Sequence, residues 1–269
     1  MLSGPPMKIR IPIFVVLLLL TITQADAFWG SATKYGAKSA PKITKILKSS
    51  KTLPDDEIVR LSKLSDETKG TAKIGKKLGK LDLPDDVLED TFMRIAIHQN
   101  KISRKEAEGM FSRLSGTPGF RTTLRKIIGN SDVGVAGHLN ELKVADDAYI
   151  NGFKVLGIGE KFTDGLKKAP TDIDIVLEKG GKYFAIEAKS HASTTRIPMD
   201  KYRADLDTLI IYKNNHPNDV ITIFAITNKP YDQKYLKLLK HEAERREVQL
   251  IFGPPHVQIK QIELLGGSQ

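Results

Sequence analysis

Two carboxylates and a lysine at the open end of a short apolar hairpin are the residues of this 269-residue chain best placed to do chemistry. Thr171 to Lys189 alternates apolar and polar side chains on both sides of Gly180-Gly181. A two-residue type I′ turn needs positive φ at both central positions, so the glycines mark the turn and paired residue numbers sum to 361. That register sets Asp174 opposite Glu187 and Asp172 opposite Lys189. Residues two apart share a face. Ile173, Ile175, Leu177, Phe184, Ile186 and Ala188 therefore make a core face, and Asp172, Asp174, Glu187 and Lys189 gather on the other. Directly opposed carboxylates have Cβ atoms about 4.5–5.5 Å apart and destabilise a sheet. A divalent cation between them turns repulsion into attraction, and such oxygen donors suit Mg²⁺ or Mn²⁺. Lys189 would point the same way, to position or deprotonate an attacking water or to offset charge on a phosphorane-like transition state. The same pattern also reads as a solvent-facing hairpin closed by an Asp172–Lys189 pair.

The elements that must hold this hairpin alternate between helix and strand. Val135, Leu139, Leu142 and Tyr149 mark one face of a helix over about 134–149. Strands follow at 153–158, 173–177 and 183–188, then a helix from Pro198, a strand at 220–227, a helix at 231–246 and a last strand at 248–252. This order predicts an α/β fold around a mixed sheet. Upstream, Leu53-Pro54-Asp55-Asp56 and Leu83-Pro84-Asp85-Asp86 repeat a helix start, proline at the first turn and aspartates at the positive end of the dipole. Further helices are expected at about 84–99, 103–115 and 118–129.

Composition limits the chemistry. With no Cys there is neither disulfide nor thiolate, so any metal is held by oxygen or imidazole. The basic start Met7-Lys8-Ile9-Arg10, the apolar run Ile11 to Ile22 and Ala25-Asp26-Ala27 read as a signal peptide cleaved after residue 27. Export to the periplasm or beyond follows, with no membrane span after cleavage. Residues 28–80 hold 13 basic and 5 acidic side chains, whereas 131–253 hold 18 of each. Lys34, Lys38, Lys42, Lys45, Lys48 and Lys51 make 28–52 a flexible arm suited to a polyanion, or a solvated leader. Gly70 to Lys77 fails as a phosphate loop because Lys77 stands where Ser or Thr must hold Mg²⁺. The expected organisation is a signal peptide, 1–27; a basic arm, 28–52; a helical accessory region, 53–130; an α/β domain, 131–253; and a C-terminal tail, 254–269.

Asp174 followed thirteen residues later by Glu187-Ala188-Lys189 resembles the D…ExK core of the PD-(D/E)XK nuclease superfamily, in the branch of resolvase-like enzymes and restriction-endonuclease-fold toxins. Upstream, Glu141 in Gly137-His138-Leu139-Asn140-Glu141 matches the glutamate that members carry before their first strand. Gly152-Phe153-Lys154-Val155-Leu156 matches the glycine and strand that follow. Ile173 replaces the proline of many members, although Asp172-Ile173-Asp174 is similar to the Glu-Ile-Asp variant of the resolvase-like branch. The resemblance implies a restriction-endonuclease-like core. Within it Asp174, Glu187, the Ala188 carbonyl and Glu141 would bind Mg²⁺ or Mn²⁺, and Lys189 would be the catalytic lysine. Asp172, His191, Arg196 and Lys201 are candidate substrate contacts, and Tyr202 with Leu206 and Leu209 forms a core stripe. The implied activity is an exported, metal-dependent endonuclease of toxin or effector type, acting on DNA in preference to RNA, with an immunity or partner protein. The alternative is a non-catalytic polyanion- or partner-binding protein on the same scaffold.

Overall fold

Local chemistry sets the helix boundaries of the first half. In this computed structural model the described residues are Asp56, Val59, 85–129, 132–163 and 171–267. The expected signal peptide, basic arm and, apart from Asp56, the first helix start lie outside them. Helix α1 spans Asp85–His98. Asn100, at φ 55°, turns the chain out of it. Helix α2, Arg104–Leu114, begins at a capping box in which the Ser103 hydroxyl takes the Glu106 amide and the Glu106 carboxylate takes the Ser103 amide. Helix α3 is Phe120–Gly129 and α4 is Asp132–Ile150.

Strand β1, Lys154–Phe162, leads into the hairpin of β2, Thr171–Lys179, and β3, Lys182–Lys189. Gly180 and Gly181 take φ of 60° and 79°, the paired positive values the turn requires. Five pairs from Lys179↔Lys182 to Ile175↔Ile186 keep the expected register. Then come α5 at Met199–Asn215, β4 at Val220–Ile226, α6 at Gln233–Glu244, β5 at Gln249–Phe252 and α7 at Pro255–Gly267. The five strands form one mixed sheet in the order β1-β2-β3-β4-β5, antiparallel from β1 to β3 and parallel from β3 to β5. The chain is therefore α/β, with helices on both faces. Among the described residues no helix is long and apolar enough to cross a membrane.

Each face has its own core. Phe92, Leu124, Leu142, Ile175, Phe184 and Ile262 lie in the first, so the helices of 85–129 share one apolar interior with the sheet. Tyr202, Leu206, Leu209, Phe224 and Leu239 fill the second, under α5 and α6. Tyr202 is fully buried and its hydroxyl donates to the Leu239 carbonyl at 3.0 Å, the packing role its helical spacing gives it. The polar face of the hairpin is thus roofed by α5, not solvent-facing as in the alternative reading.

Three expectations need correction. The 254–269 tail is largely the helix α7: Pro255 suits a first helical turn, Ile259 and Ile262 enter the first core, and Lys179 and Lys182 tie Glu263 and the Gly266 carbonyl to the hairpin at 2.6 and 2.7 Å. Tyr149 leaves the buried face of α4 and is 48% exposed, because Ala145 and Ala148 carry the contact there. Ile173 joins the second core with Val176 and Ala185, although Ile175 and Leu177 lie in the first.

The edge strand β1 is pinned by a loop from the helical half. The Ile158 amide donates to the Pro118 carbonyl at 2.9 Å, which occupies a polar group that an open edge would expose. Gly119 then passes so close that a Cβ would lie 1.7 Å from the Ile158 oxygen, at a φ of 86° that disfavours any side chain. Gly119→Ala should cost at least about 2 kcal/mol of unfolding free energy by urea denaturation. Gly116→Ala, at a positive φ with open space around it, should cost less. Equal losses would contradict the close approach.

Candidate active site

The β2–β3 ladder stops at Ile175↔Ile186, and the site begins there. The next β3 amide that faces β2 is that of Ala188. It donates instead to the Asp174 carboxylate at 2.9 Å. Glu187 and Lys189 alternate with Ala188 onto the face roofed by α5. The Lys189 ammonium lies against the Glu187 carboxylate and 3.2 Å from Asp205 Oδ2 on α5. That second contact is an ion pair without hydrogen-bond alignment, since Asp205 Oδ2 has no hydrogen-bond partner. Lys189 also sits 5.9 Å from the centre of the Phe224 ring.

Helix α4 brings the third carboxylate. Glu141 is buried, and its Oε1 lies 2.9 Å from His138 Nδ1, one turn earlier on the same helix. Glu141 is near enough to Asp174 to disfavour that neighbour's charge. Beside it, the Thr227 hydroxyl lies 3.3 Å from Asn140 Oδ1 and 3.1 Å from the Lys189 carbonyl, which also accepts the Thr227 amide at 2.9 Å. The end of β4 therefore joins α4 to β3 immediately beside Lys189.

Burial governs the charge states. Desolvation, opposed by Lys189 and reinforced by Glu141, pushes the Asp174 carboxyl up to about 6. Some solvent reaches Asp174, but protein atoms crowd it closely enough for desolvation to dominate. Glu187 is raised well above the ordinary range, first by burial and then by the negative charge of Asp174. Burial works against the Lys189 ammonium, yet Glu187, Asp174 and Asp205 outweigh it and hold the group above its usual value. Three carboxyls thus surround one ammonium.

The other sequence candidates spread along the sheet end. Asp172 pairs with Lys161 in β1 and reaches Lys126 at 3.8 Å. The expected Asp172–Lys189 pair is not made, since Lys189 is turned to Glu187 and Asp205 instead. His191, two residues past Lys189, is held below the usual imidazole value by burial and then by Lys189 and Lys201. Lys201 is exposed at the start of α5. Arg196 is engaged by Asp232 and lies 5.5 Å over the Tyr235 ring. The residues missed were Asp205, His138, Asn140 and Thr227. Asp205 had a signal, an acid three residues after Tyr202 on the same buried stripe. His138 sat one helical turn before Glu141.

Donor chemistry fits a hard divalent cation: Asp174, Glu187 and Glu141 offer oxygens, and the two that are raised oppose each other for want of positive charge. Their present orientation is paired inward, and among the described residues no group of three His, Asp or Glu side chains converges on a common point. Compared with protein-family models, curated proteins and solved structures, the chain finds no match.

The raised carboxyls give a definite sign to stability against pH. Each binds its proton more readily folded than unfolded, so its contribution is greatest below the unfolded value of 3.8 for Asp174 and is lost as pH rises through about 6. In EDTA, wild-type unfolding free energy should therefore fall between about pH 4 and 6 relative to Asp174→Asn, which lacks that titration. Chemical denaturation of both proteins across this range measures the difference. Parallel curves would remove the buried charge from the account.

Proposed function

We propose that the chain is a Mg²⁺-dependent nuclease on a restriction-endonuclease-like core, cutting phosphodiester bonds internally and acting on DNA in preference to RNA. One observation carries the reading: the end of the hairpin brings Asp174, Glu187 and Lys189 together, with Glu141 delivered to them by α4. Asp174, Glu187, Glu141 and the Ala188 carbonyl would hold the ion. A bound Mg²⁺ supplies Lewis-acid polarisation of the phosphate and a more acidic water. In the hydrolysis, water oxygen adds to phosphorus, the bond to the leaving alcohol breaks, and the water's proton is passed to solvent or the leaving oxygen.

Lys189 has the clearest role of its own. Held protonated by three carboxylates, it cannot take a proton from water, so it serves as a fixed positive charge for the phosphate as negative charge accumulates. Asp205 positions that ammonium from α5, and Thr227 fixes the strand end that carries it. The export signal in residues 1–27 makes a toxin or effector role, with an immunity partner, the setting that suits this chemistry.

A second reading is a non-catalytic polyanion-binding protein on the same scaffold. It draws on the inward pairing of Lys189 with Glu187, which leaves the carboxylates unconverged. Incubating the chain with plasmid, linear DNA and RNA separates the two. Asp174→Asn and Glu187→Gln should each reduce Mg²⁺-dependent cleavage to the EDTA background, and Lys189→Ala should lower it about 10²–10³-fold. Full cutting by either carboxylate variant would end the nuclease assignment.

The arm is a separate question because counterion release counts phosphates, not catalytic groups. Six lysines fall in residues 28–52, and each phosphate neutralised contributes roughly 0.9 to the log-log salt slope on duplex DNA. Deleting 28–52 should flatten that slope while cleavage at low salt survives. An unchanged slope would make the stretch a leader or partner-docking segment.

A further inference from the structure

The neutral balance of residues 131–253 conceals a strong local imbalance. The segments that leave β3 and β4, residues 189–203 and 227–240, hold 8 basic and 2 acidic residues, and the rest of 131–253 holds 10 and 16. Both segments start at the same sheet end as Lys189. Within them Arg196 and Arg203 are engaged by Asp232 and Glu242. Lys201, Lys229, Lys234 and Lys237 are exposed and make no ion pair among the described residues.

The two loops are joined rung by rung. The Thr227 amide donates to the Lys189 carbonyl at 2.9 Å, Asn228 Nδ2 to the His191 carbonyl at 2.7 Å, and the Tyr231 amide to the Ser193 carbonyl at 3.2 Å. Tyr235 closes the far end, its hydroxyl taking the Ile197 amide at 2.8 Å and donating to the Ile197 carbonyl at 3.0 Å. On this rim the Tyr231 side chain is 75% exposed, the most exposed large apolar residue of the described chain. Its ring makes no hydrogen bond or ring contact among the described residues. Ser193 is four residues from Lys189, a chain span of at most about 14 Å. At the 3.4 Å rise of a stacked strand, that is at most about four nucleotides from Lys189, and fewer along an extended one.

We infer that Tyr231 is a base-stacking platform and that the surface formed by 189–203 and 227–240 takes single-stranded nucleic acid, with Lys201, Lys229 and Lys234 along its backbone. A fixed aromatic face beside unpaired lysines is what a single strand needs, because its bases have open π faces while those of a duplex are covered by their neighbours. Positive charge on the same rim selects a polyanion over an apolar protein partner. The inference rests on the nuclease reading and adds the class of substrate to it.

The test uses the full chain carrying Glu187→Gln, which binds without cutting, and a labelled single-stranded oligodeoxynucleotide beside its own duplex, in Mg²⁺, by fluorescence anisotropy. Tyr231→Ala should weaken single-strand binding about 5- to 100-fold and leave duplex binding within about twofold. Tyr231→Phe should restore it, and Lys229→Glu should weaken both probes. Melting temperatures should match, since the ring is exposed. Tight single-strand binding indifferent to Tyr231, or equal loss on both probes, overturns this inference and leaves the nuclease reading standing. No binding of either probe by any of the proteins removes both.

Discussion

Two crowded carboxyls on adjoining strands, with one ammonium shared among three acids, form the constraint to which the rest of the site answers. Burial raises the proton affinity of both Asp174 and Glu187, and a neighbouring acid adds to each, Glu141 to Asp174 and Asp174 to Glu187. A fold gains nothing in stability from such a pair, because like charges in a poorly solvated place cost free energy that a leucine would not. The local structure is arranged to contain that cost. The ladder gives up a rung so that the Ala188 amide can serve Asp174, and Lys189 is drawn between Glu187 and Asp205.

The two cores make this tolerable. Apolar packing on both faces of the hairpin fixes β2 and β3 from Ile175 and Ile186 back to the turn, so the strained end is held by a rigid stem. The first core also ties in the helices of 85–129 and α7. The charged end is thus supported from elements far apart in sequence. The parallel pairing of β3 with β4 matters equally. It places the ends of both strands, and the loops that leave them, at one edge, where an open α/β sheet most often receives its ligand.

Much of this was legible because short-range rules controlled it. Gly180-Gly181 determined the turn and hence five cross-strand pairs. What escaped was controlled by packing at a distance. No periodicity reveals that the Asp174 side chain would take an amide in place of a ladder rung, since the donor lies on the neighbouring strand. Asp205 lay on a stripe whose other members are core, and only the arrival of Lys189 beneath it gives it a partner. The helix at 255–267 was hidden by a proline pair that reads equally well as an exit from the last strand or as a helix start. Its apolar residues needed the first core to choose between those outcomes.

Charge shows the same dependence on placement. A domain with 18 acidic and 18 basic residues has no net field to offer a polyanion, yet a ligand responds to what lies within a Debye length, about 10 Å at ordinary ionic strength. At the sheet end that count is positive outside and negative within: exposed lysines on the two loops, buried carboxylates behind them. A phosphate backbone would be drawn to the rim, while the acids just inside would repel it unless a cation stood between them. In the proposed reading, the attraction and the need for a metal ion would therefore be two consequences of one charge arrangement. Such a site would admit an anionic substrate productively only when the inner carboxylates had been answered by positive charge, and Lys189 alone, facing three of them, would not supply enough.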